Sequence, residues 1–201
     1  MTKTIWIIGT LAVLIIAFFM FASFRFSNIE TPAYRVIKTL GQVELRAYPQ
    51  MTVAQTDLRS SSFDNEGSNG FRTVAGYIFG DNQTGQKIAM TAPVIMEMGD
   101  SAHLSFVMPS AYTLNDLPQP NSSRVALQQT PEKVLAVIQY GGFSDDEKIQ
   151  KYGDKLMAEL EAQGIPTKGS LMYMGYNSPW DVVNRRNEVA VEIEWGESVN
   201  P

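Results

Sequence analysis

The stretch Val43-Glu-Leu-Arg-Ala-Tyr-Pro-Gln-Met-Thr-Val-Ala54 has a counterpart 82 residues later, Val125-Ala-Leu-Gln-Gln-Thr-Pro-Glu-Lys-Val-Leu-Ala136. Both fit the pattern V-x-L-x-x-x-P-x-x-x-x-A, with strand-forming residues on either side of a proline. Each is followed by a helix-like segment and then by two strand-like segments. The pattern predicts an α+β domain of two pseudo-symmetric β-α-β-β repeats. Each half-sheet has one apolar face, so the two halves are expected to close over a shared core.

Helical spacing marks the two helices. In the first half, Phe71, Val74 and Ile78 recur at intervals of three and four, and the polar residues 60–70 before them read as a loop or the start of the helix. In the second half, residues 144–147, Ser-Asp-Asp-Glu, have the form of a capping box, and Gly164 ends the helix. Residues 88–98 read as a strand.

The N-terminus differs from the rest of the chain. The 21 residues from Thr4 to Phe24 carry no charge, and at about 1.5 Å per residue a helix of that length spans a hydrocarbon core about 30 Å thick. A cleaved signal peptide normally has a shorter apolar core, so an uncleaved single-pass anchor is favoured. We therefore expect an anchor over residues 1–26 and a domain over residues 27–201. Flanking Lys and Arg residues do not fix its orientation, and an extracytoplasmic or periplasmic domain is the expectation.

Composition narrows the function. The net charge of −5 becomes −7 for residues 27–201, because Lys3 and Arg25 are the only charges before them. An acidic domain is a poor candidate for nucleic-acid binding. The chain has no Cys, which excludes disulfides and thiolate chemistry in this chain. No catalytic motif is found, and no metal site is predicted.

Two residue types leave alternatives open. His103, the one histidine of the chain, is either an exposed strand residue or an axial ligand of haem iron. The ten methionines are better explained as core filling than as thioether ligands, because no Cys and only one His support a metal site.

Several blocks together resemble the SOUL, or haem-binding-protein, family. They run in the family's order across residues 30–195 and include Ile88-Ala-Met-Thr-Ala-Pro-Val94, Phe106-Val-Met-Pro109 and Arg185-Arg-Asn-Glu188. The resemblance implies two pseudo-symmetric β-α-β-β repeats that form a curved antiparallel sheet or distorted barrel with two main helices, in agreement with the duplication. It also implies haem or another tetrapyrrole bound at an apolar surface near the first helix.

The resemblance also implies a site. Phe71, Val74, Tyr77 and Ile78 would form its apolar wall, and Arg72 would pair with a propionate. The predicted function is membrane-tethered, non-catalytic binding of haem by a monomeric domain that acts as a carrier, buffer or sensor. Alternatives are a site for another flat apolar ligand, an enzyme acting on such a ligand, or an interaction domain without a ligand. For an enzyme, Glu44 or Glu188 would face the pocket, whereas pairing of both with arginine would count against it.

Overall fold

The computed structural model describes residues 29–178, 181 and 183–196, and the predicted anchor at residues 1–26 lies outside them. The elements in chain order are β1 Arg35–Leu40, β2 Val43–Tyr48, β3 Met51–Asp57, α1 Phe63–Ile78, β4 Val94–Glu97, β5 His103–Val107, β6 Ala126–Thr130, β7 Lys133–Tyr140, α2 Asp146–Ala162, β8 Thr167–Gly175 and β9 Asn187–Ile193. Neither helix in this described part is both long enough and apolar enough to cross a bilayer.

The sheet carries the internal duplication. Its strand order is β1-β2-β7-β9-β8-β4-β5-β3-β6, and every pairing is antiparallel. Leu45 pairs with Ala136, and Ala54 pairs with Leu127, so the shared leucine and alanine of the two motifs meet where the halves join. The α+β class, the two helices and the curled antiparallel sheet are confirmed. Apart from β1, each half has two strands before its helix, β2-β3 and β6-β7, so the repeat is β-β-α-β-β, which corrects the predicted β-α-β-β.

Helix α1 begins at Phe63, eight residues before the first residue of the predicted apolar stripe. Ser62 caps it by accepting a hydrogen bond from the Asn65 amide at 3.2 Å. The glycines that made residues 60–70 read as loop-like serve close packing: a Cβ at Gly70 would lie 2.7 Å from Leu58. A glycine within a helix therefore marks the approach of the helix to the sheet here, not its end.

Two other boundaries differ from the prediction. The strand expected over residues 88–98 is confined to Val94–Glu97 and begins after Pro93, which has no N–H to donate to a ladder. The N-cap of α2 is Asp145, because the Ser144 hydroxyl is hydrogen-bonded to Tyr140 at 3.0 Å and the Asp145 carboxylate accepts from the Lys148 amide at 2.7 Å.

Both helices pack on one face of the sheet, α1 against β3–β5 and α2 against β7–β9. Their N-termini meet: the Asp146 carboxylate, at the start of α2, accepts hydrogen bonds from the Phe63 amide and the Ser62 hydroxyl, each at 2.6 Å. The opposite face of the sheet buries a separate apolar cluster that includes Met51, Met172 and Met174. Those methionines fill the core, as predicted from their chemistry.

Candidate functional site

A cavity of about 810 Å³ lies between the N-terminal half of α1 and the middle of the sheet. This volume is typical of small-molecule sites. Both halves of the repeat contribute to its lining, which consists of Phe63, Asp64, Gly67, Ser68, Phe71 and Arg72 from α1, Val94, Met96, Leu104, Tyr173 and Gly175 from the sheet, and Phe143, Ser144, Asn177 and Arg185 from loops.

The first three turns of α1 form one wall. Residues 63, 67 and 71 are four apart and share one helical stripe. The Phe63 ring meets the Tyr173 ring edge-on with centroids 4.7 Å apart, and the Phe71 ring lies 5.2 Å from the Phe106 ring. A Cβ at Gly67 would lie 3.2 Å from the Phe63 ring, so the glycine makes room for that ring and keeps this wall open.

Phe143, in the loop before α2, also lines the cavity. Its side chain is 59% exposed, yet its backbone is held in place. The Lys148 ammonium donates to the carbonyls of Gly141 and Phe143 at 2.7 and 2.9 Å, and the Arg185 guanidinium lies 4.6 Å from the centre of the Phe143 ring. An exposed aromatic ring fixed in this way is a platform for a flat apolar group.

Two guanidinium groups border the cavity. Arg72 is exposed and donates from Nε to the Ser68 carbonyl at 3.3 Å. Arg185 donates from one terminal nitrogen to the carbonyls of Ser178 and Asp181 at 3.0 and 2.6 Å, while its buried Nε has no partner among the described residues.

The five predicted site residues on α1 fall into two groups. Phe71 and Arg72 line the cavity. Val74, Tyr77 and Ile78 lie further along the helix than the cavity. They are 0–1% exposed, in the core beneath the last turns of α1. Ligand contact by these three stays a prediction, and the structure does not bring them to the cavity with Phe71.

His103 lies elsewhere. It begins β5, where its Nε2 is 3.5 Å from a Glu97 carboxylate oxygen and its Nδ1 is 3.1 Å from the Ser101 carbonyl oxygen. Because side chains alternate along a strand, Leu104 faces the cavity and His103 points to the other side of the sheet. The described lining residues include no histidine, and no group of three or more His, Asp or Glu side chains that could hold a metal occurs in the described part of the chain.

Tyr173 presents a neutral phenol to the cavity. Burial raises the pKa of its hydroxyl above the ordinary value, and that hydroxyl donates to the Asn187 side-chain oxygen at 2.8 Å. Both effects disfavour a phenolate, so Tyr173 contributes its ring to the wall. No sequence pattern singles out Phe63, Phe143 and Tyr173 among the aromatic residues, because their meeting at one cavity depends on tertiary structure.

Glu44 and Glu188 lie at a different place. Glu188 pairs with Met174 across the sheet, on the face away from Tyr173 and the cavity. Its carboxylate accepts from Arg46 at 2.9 Å and from Arg186 at 2.8 Å, and Glu44 accepts from Arg46 at 2.8 Å. Both carboxylates are thus paired with arginine, the arrangement expected to count against a catalytic acid.

Solved structures share this architecture. The C-terminal domain of EcmrR has a TM-score of 0.60 at 13% identity, over 78% of this chain and 99% of that domain. A hydrolase from Listeria innocua has a TM-score of 0.56 at 11% identity, over 79% of this chain and 94% of that one. At such identity the likeness shows the fold alone.

Sequence comparison is more specific. A family model described as SOUL heme-binding protein matches residues 29–192. Human heme-binding protein 2 is 31% identical over 174 residues, which are 80% of this chain and 84% of that protein. Heme-binding protein 1 of Xenopus laevis is 25% identical over 154 residues, which are 73% of this chain and 80% of that protein. The chain belongs to the SOUL heme-binding protein family.

Proposed function

We propose that this protein binds haem or a related tetrapyrrole, without catalysis, in the cavity beside α1. The observation that carries the proposal is a cavity of about 810 Å³ that is lined by aromatic side chains from α1, the sheet and the loop before α2, with the guanidinium groups of Arg72 and Arg185 at its border. A tetrapyrrole needs apolar surface for its ring and cations for its carboxylates. The names of the relatives in the family support the same ligand class.

The lining residues would contribute to ligand binding in different ways. Phe71, Phe63 and Tyr173 would cover one side of the ring, and Phe143 would cover its open edge. Arg185, with its unpartnered Nε, and the exposed Arg72 would pair with carboxylates. Haem supplies redox and ligand-exchange chemistry when its iron is bound, and carriage or buffering requires none of it.

A second candidate ligand is another flat apolar molecule. Asp64 also lines the cavity, so the two cations do not stand alone, and the described lining holds no histidine to coordinate iron. Both features favour a ligand recognised by shape and stacking. Metal-free protoporphyrin and an uncharged flat dye distinguish this candidate from the first.

The proposed location is a membrane, through residues 1–26, with the domain on the extracytoplasmic or periplasmic side. The support is the uncharged run from Thr4 to Phe24, long enough to span the hydrocarbon core. Alkaline carbonate extraction of membranes that contain the full chain tests the anchor. Retention in the membrane pellet is expected, and release into the supernatant would refute it. Protease protection in sealed vesicles then reports the side.

Haem titration of the full chain in mild detergent, followed by absorbance and tryptophan quenching, tests the ligand. We expect saturable one-to-one binding. Phe71→Ala removes stacking surface, and Arg72→Glu reverses a charge, so each should weaken binding about tenfold, which corresponds to 1.4 kcal/mol. Arg124→Glu is the matched control, since Arg124 is exposed and outside the lining. His103→Ala should leave the haem spectrum unchanged; a lost low-spin band would make His103 the axial ligand.

Absence of saturable haem binding to the wild-type chain would remove the tetrapyrrole proposal. Equal losses for Arg72→Glu and Arg124→Glu would show that net charge, and not the cavity border, governs binding.

A further inference from the structure

Asn187 is buried where β7, β8 and β9 meet, and β8 is one of the strands that line the cavity. It begins β9 and pairs with Tyr140, at the end of β7, and with Gly175, at the end of β8. Its side chain is not part of the cavity lining, and the residue is 1% exposed. Any effect of Asn187 on a ligand therefore passes through its neighbours.

Both polar atoms of the Asn187 amide form hydrogen bonds, and each bond leads to a residue that lines the cavity, Tyr173 or Phe143. The side-chain oxygen accepts from the Tyr173 hydroxyl at 2.8 Å. The side-chain nitrogen donates to the Gly142 carbonyl at 2.7 Å, in the peptide that leads directly into Phe143. An aspartate would lack the donor and a leucine would lack both groups.

The two glycines next to these contacts are fitted to them. At Gly175 a Cβ would lie 2.9 Å from the Tyr173 hydroxyl, so the missing side chain leaves the path by which Tyr173 reaches Asn187. Gly142 has a φ of +80°, a conformation that other residues rarely adopt, and it turns the chain so that its carbonyl meets Asn187 while Phe143 faces the cavity.

We propose that Asn187 is the positioning residue of the cavity: its buried amide fixes Tyr173 and Phe143 relative to each other, and this fixed separation gives the site its preference for a flat ligand. The inference rests on the proposed function for the identity of the ligand, and on the geometry alone for the positioning. A preorganised pair of walls binds a rigid ring without the entropy cost of ordering side chains, whereas loose walls suit a flexible ligand as well.

The affinity test compares a flat ligand with a flexible one that also carries a carboxylate. The full chain in lipid nanodiscs is titrated with protoporphyrin IX and with a dansyl-labelled undecanoic acid. Asn187→Leu should lower the affinity for the porphyrin about tenfold while changing that for the fatty acid much less. Asn187→Asp, which keeps the acceptor for Tyr173, should lie between the wild-type chain and Asn187→Leu.

Asn82→Leu is the matched control. Asn82 is also a buried asparagine, 3% exposed, and its amide nitrogen donates to the carbonyls of Tyr77 and Gln86 at 3.0 and 2.7 Å, away from the cavity lining. It should lower thermal stability by a similar amount and leave the ratio of the two affinities unchanged. Equal ratios for Asn187→Leu and Asn82→Leu would reduce Asn187 to a structural role and overturn the proposal.

A ligand-free measurement separates this inference from the proposed function. The chain has no Cys, so Phe143→Cys accepts a single nitroxide spin label. Adding Asn187→Leu should sharpen the room-temperature spectrum, because the loop gains motion, and adding Asn82→Leu should not. Unchanged label mobility with Asn187→Leu would overturn the positioning role even if the porphyrin binds. If the wild-type chain binds no porphyrin, the proposed function fails, and the label still decides the positioning.

Discussion

Replacing Glu188 with glutamine tests the buried charge network on the face of the sheet away from the cavity. Glu188 is 0% exposed, and the side chain of its partner Arg46 is only 4% exposed. The carboxylate accepts from Arg46 at 2.9 Å, from Arg186 at 3.0 and 2.8 Å, and from the Tyr176 hydroxyl at 2.8 Å. Four donors are thus arranged around one carboxylate that water does not reach.

Glu188→Gln removes the negative charge and leaves the guanidinium of Arg46 buried. Burial by itself lowers the pKa of Arg46, but attraction to Glu188 and the hydrogen bond to Glu44 raise the pKa above the ordinary value. Removing one partner of a buried ion pair costs about 3–5 kcal/mol. Arg186 is 34% exposed and can turn toward water, and Glu44 remains beside Arg46, so the lower end, about 3 kcal/mol, is expected.

The assay is thermal unfolding of the full chain in mild detergent. A domain of this size loses about 2–4 °C of Tm per kcal/mol, so Glu188→Gln should lower Tm by about 6–12 °C. The control is Glu192→Gln, which breaks the pair of Glu192 with Lys168, 3.0 Å apart with side chains 28% and 66% exposed, and which should cost about 0–1 kcal/mol. The double change Arg46→Met with Glu188→Leu should recover part of the loss.

Equal Tm values for Glu188→Gln and Glu192→Gln would refute this reasoning. They would mean that the strand pairing around Glu188 relaxes enough to hydrate Arg46, so that the burial seen in the fold carries no electrostatic consequence.

Three further predictions follow from single contacts. Gly175→Ala places a methyl 2.9 Å from the Tyr173 hydroxyl, so it should lower the free energy of unfolding by about 1–3 kcal/mol and weaken porphyrin binding in the titration. Gly76→Ala is the control: a Cβ there meets nothing within 4 Å, and this change should raise Tm slightly. Asp146→Ala removes the carboxylate that accepts from the first amide of α1, that of Phe63, at 2.6 Å. Urea unfolding should show a free energy of unfolding that is lower by about 0.5–2 kcal/mol. Burial raises the pKa of Tyr77 to about 12, so the folded state holds the phenol proton more tightly than the unfolded state does. The contribution of this proton to the free energy of unfolding is complete below pH about 10 and is lost as pH rises through about 12. Tyr77→Phe should flatten that alkaline decline in Tm.

The fold was largely predictable because the same motif occurs in both halves of the sequence. The shared motif placed Leu45 and Ala54 in positions equivalent to Leu127 and Ala136, and the structure pairs these residues with each other across the two halves. Boundaries were harder to predict. Gly70 looks like a helix breaker in sequence, and its real constraint, the distance to Leu58, exists only after the helix packs on the sheet.

The site was predictable only where it follows one helix. The family resemblance predicted Phe71 and Arg72 as site residues, and both line the cavity. Helical spacing by itself marks only the stripe of Phe71, Val74 and Ile78. The same spacing grouped Ile78 with Phe71, since periodicity gives the direction of a side chain and not where a cavity ends along the helix. Phe143 and Arg185 join the site from distant loops, and no local pattern reports their contact.

The duplicated fold explains why the cavity belongs to the first helix. At the offset of 82 residues, Gly67 and Phe71 of α1 correspond to Ile149 and Gly153 of α2. Ile149 is 1% exposed in the core, and a Cβ at Gly153 would lie 2.6 Å from Leu171, so the corresponding stripe of α2 is pressed onto the sheet. On α1 a glycine, Gly67, lies where α2 has Ile149, and Gly67 lines the cavity instead of filling it. Two copies of one unit thus keep the same strand pairing, and exchanging a large and a small residue on the helix leaves an open cavity in one copy and a closed core in the other.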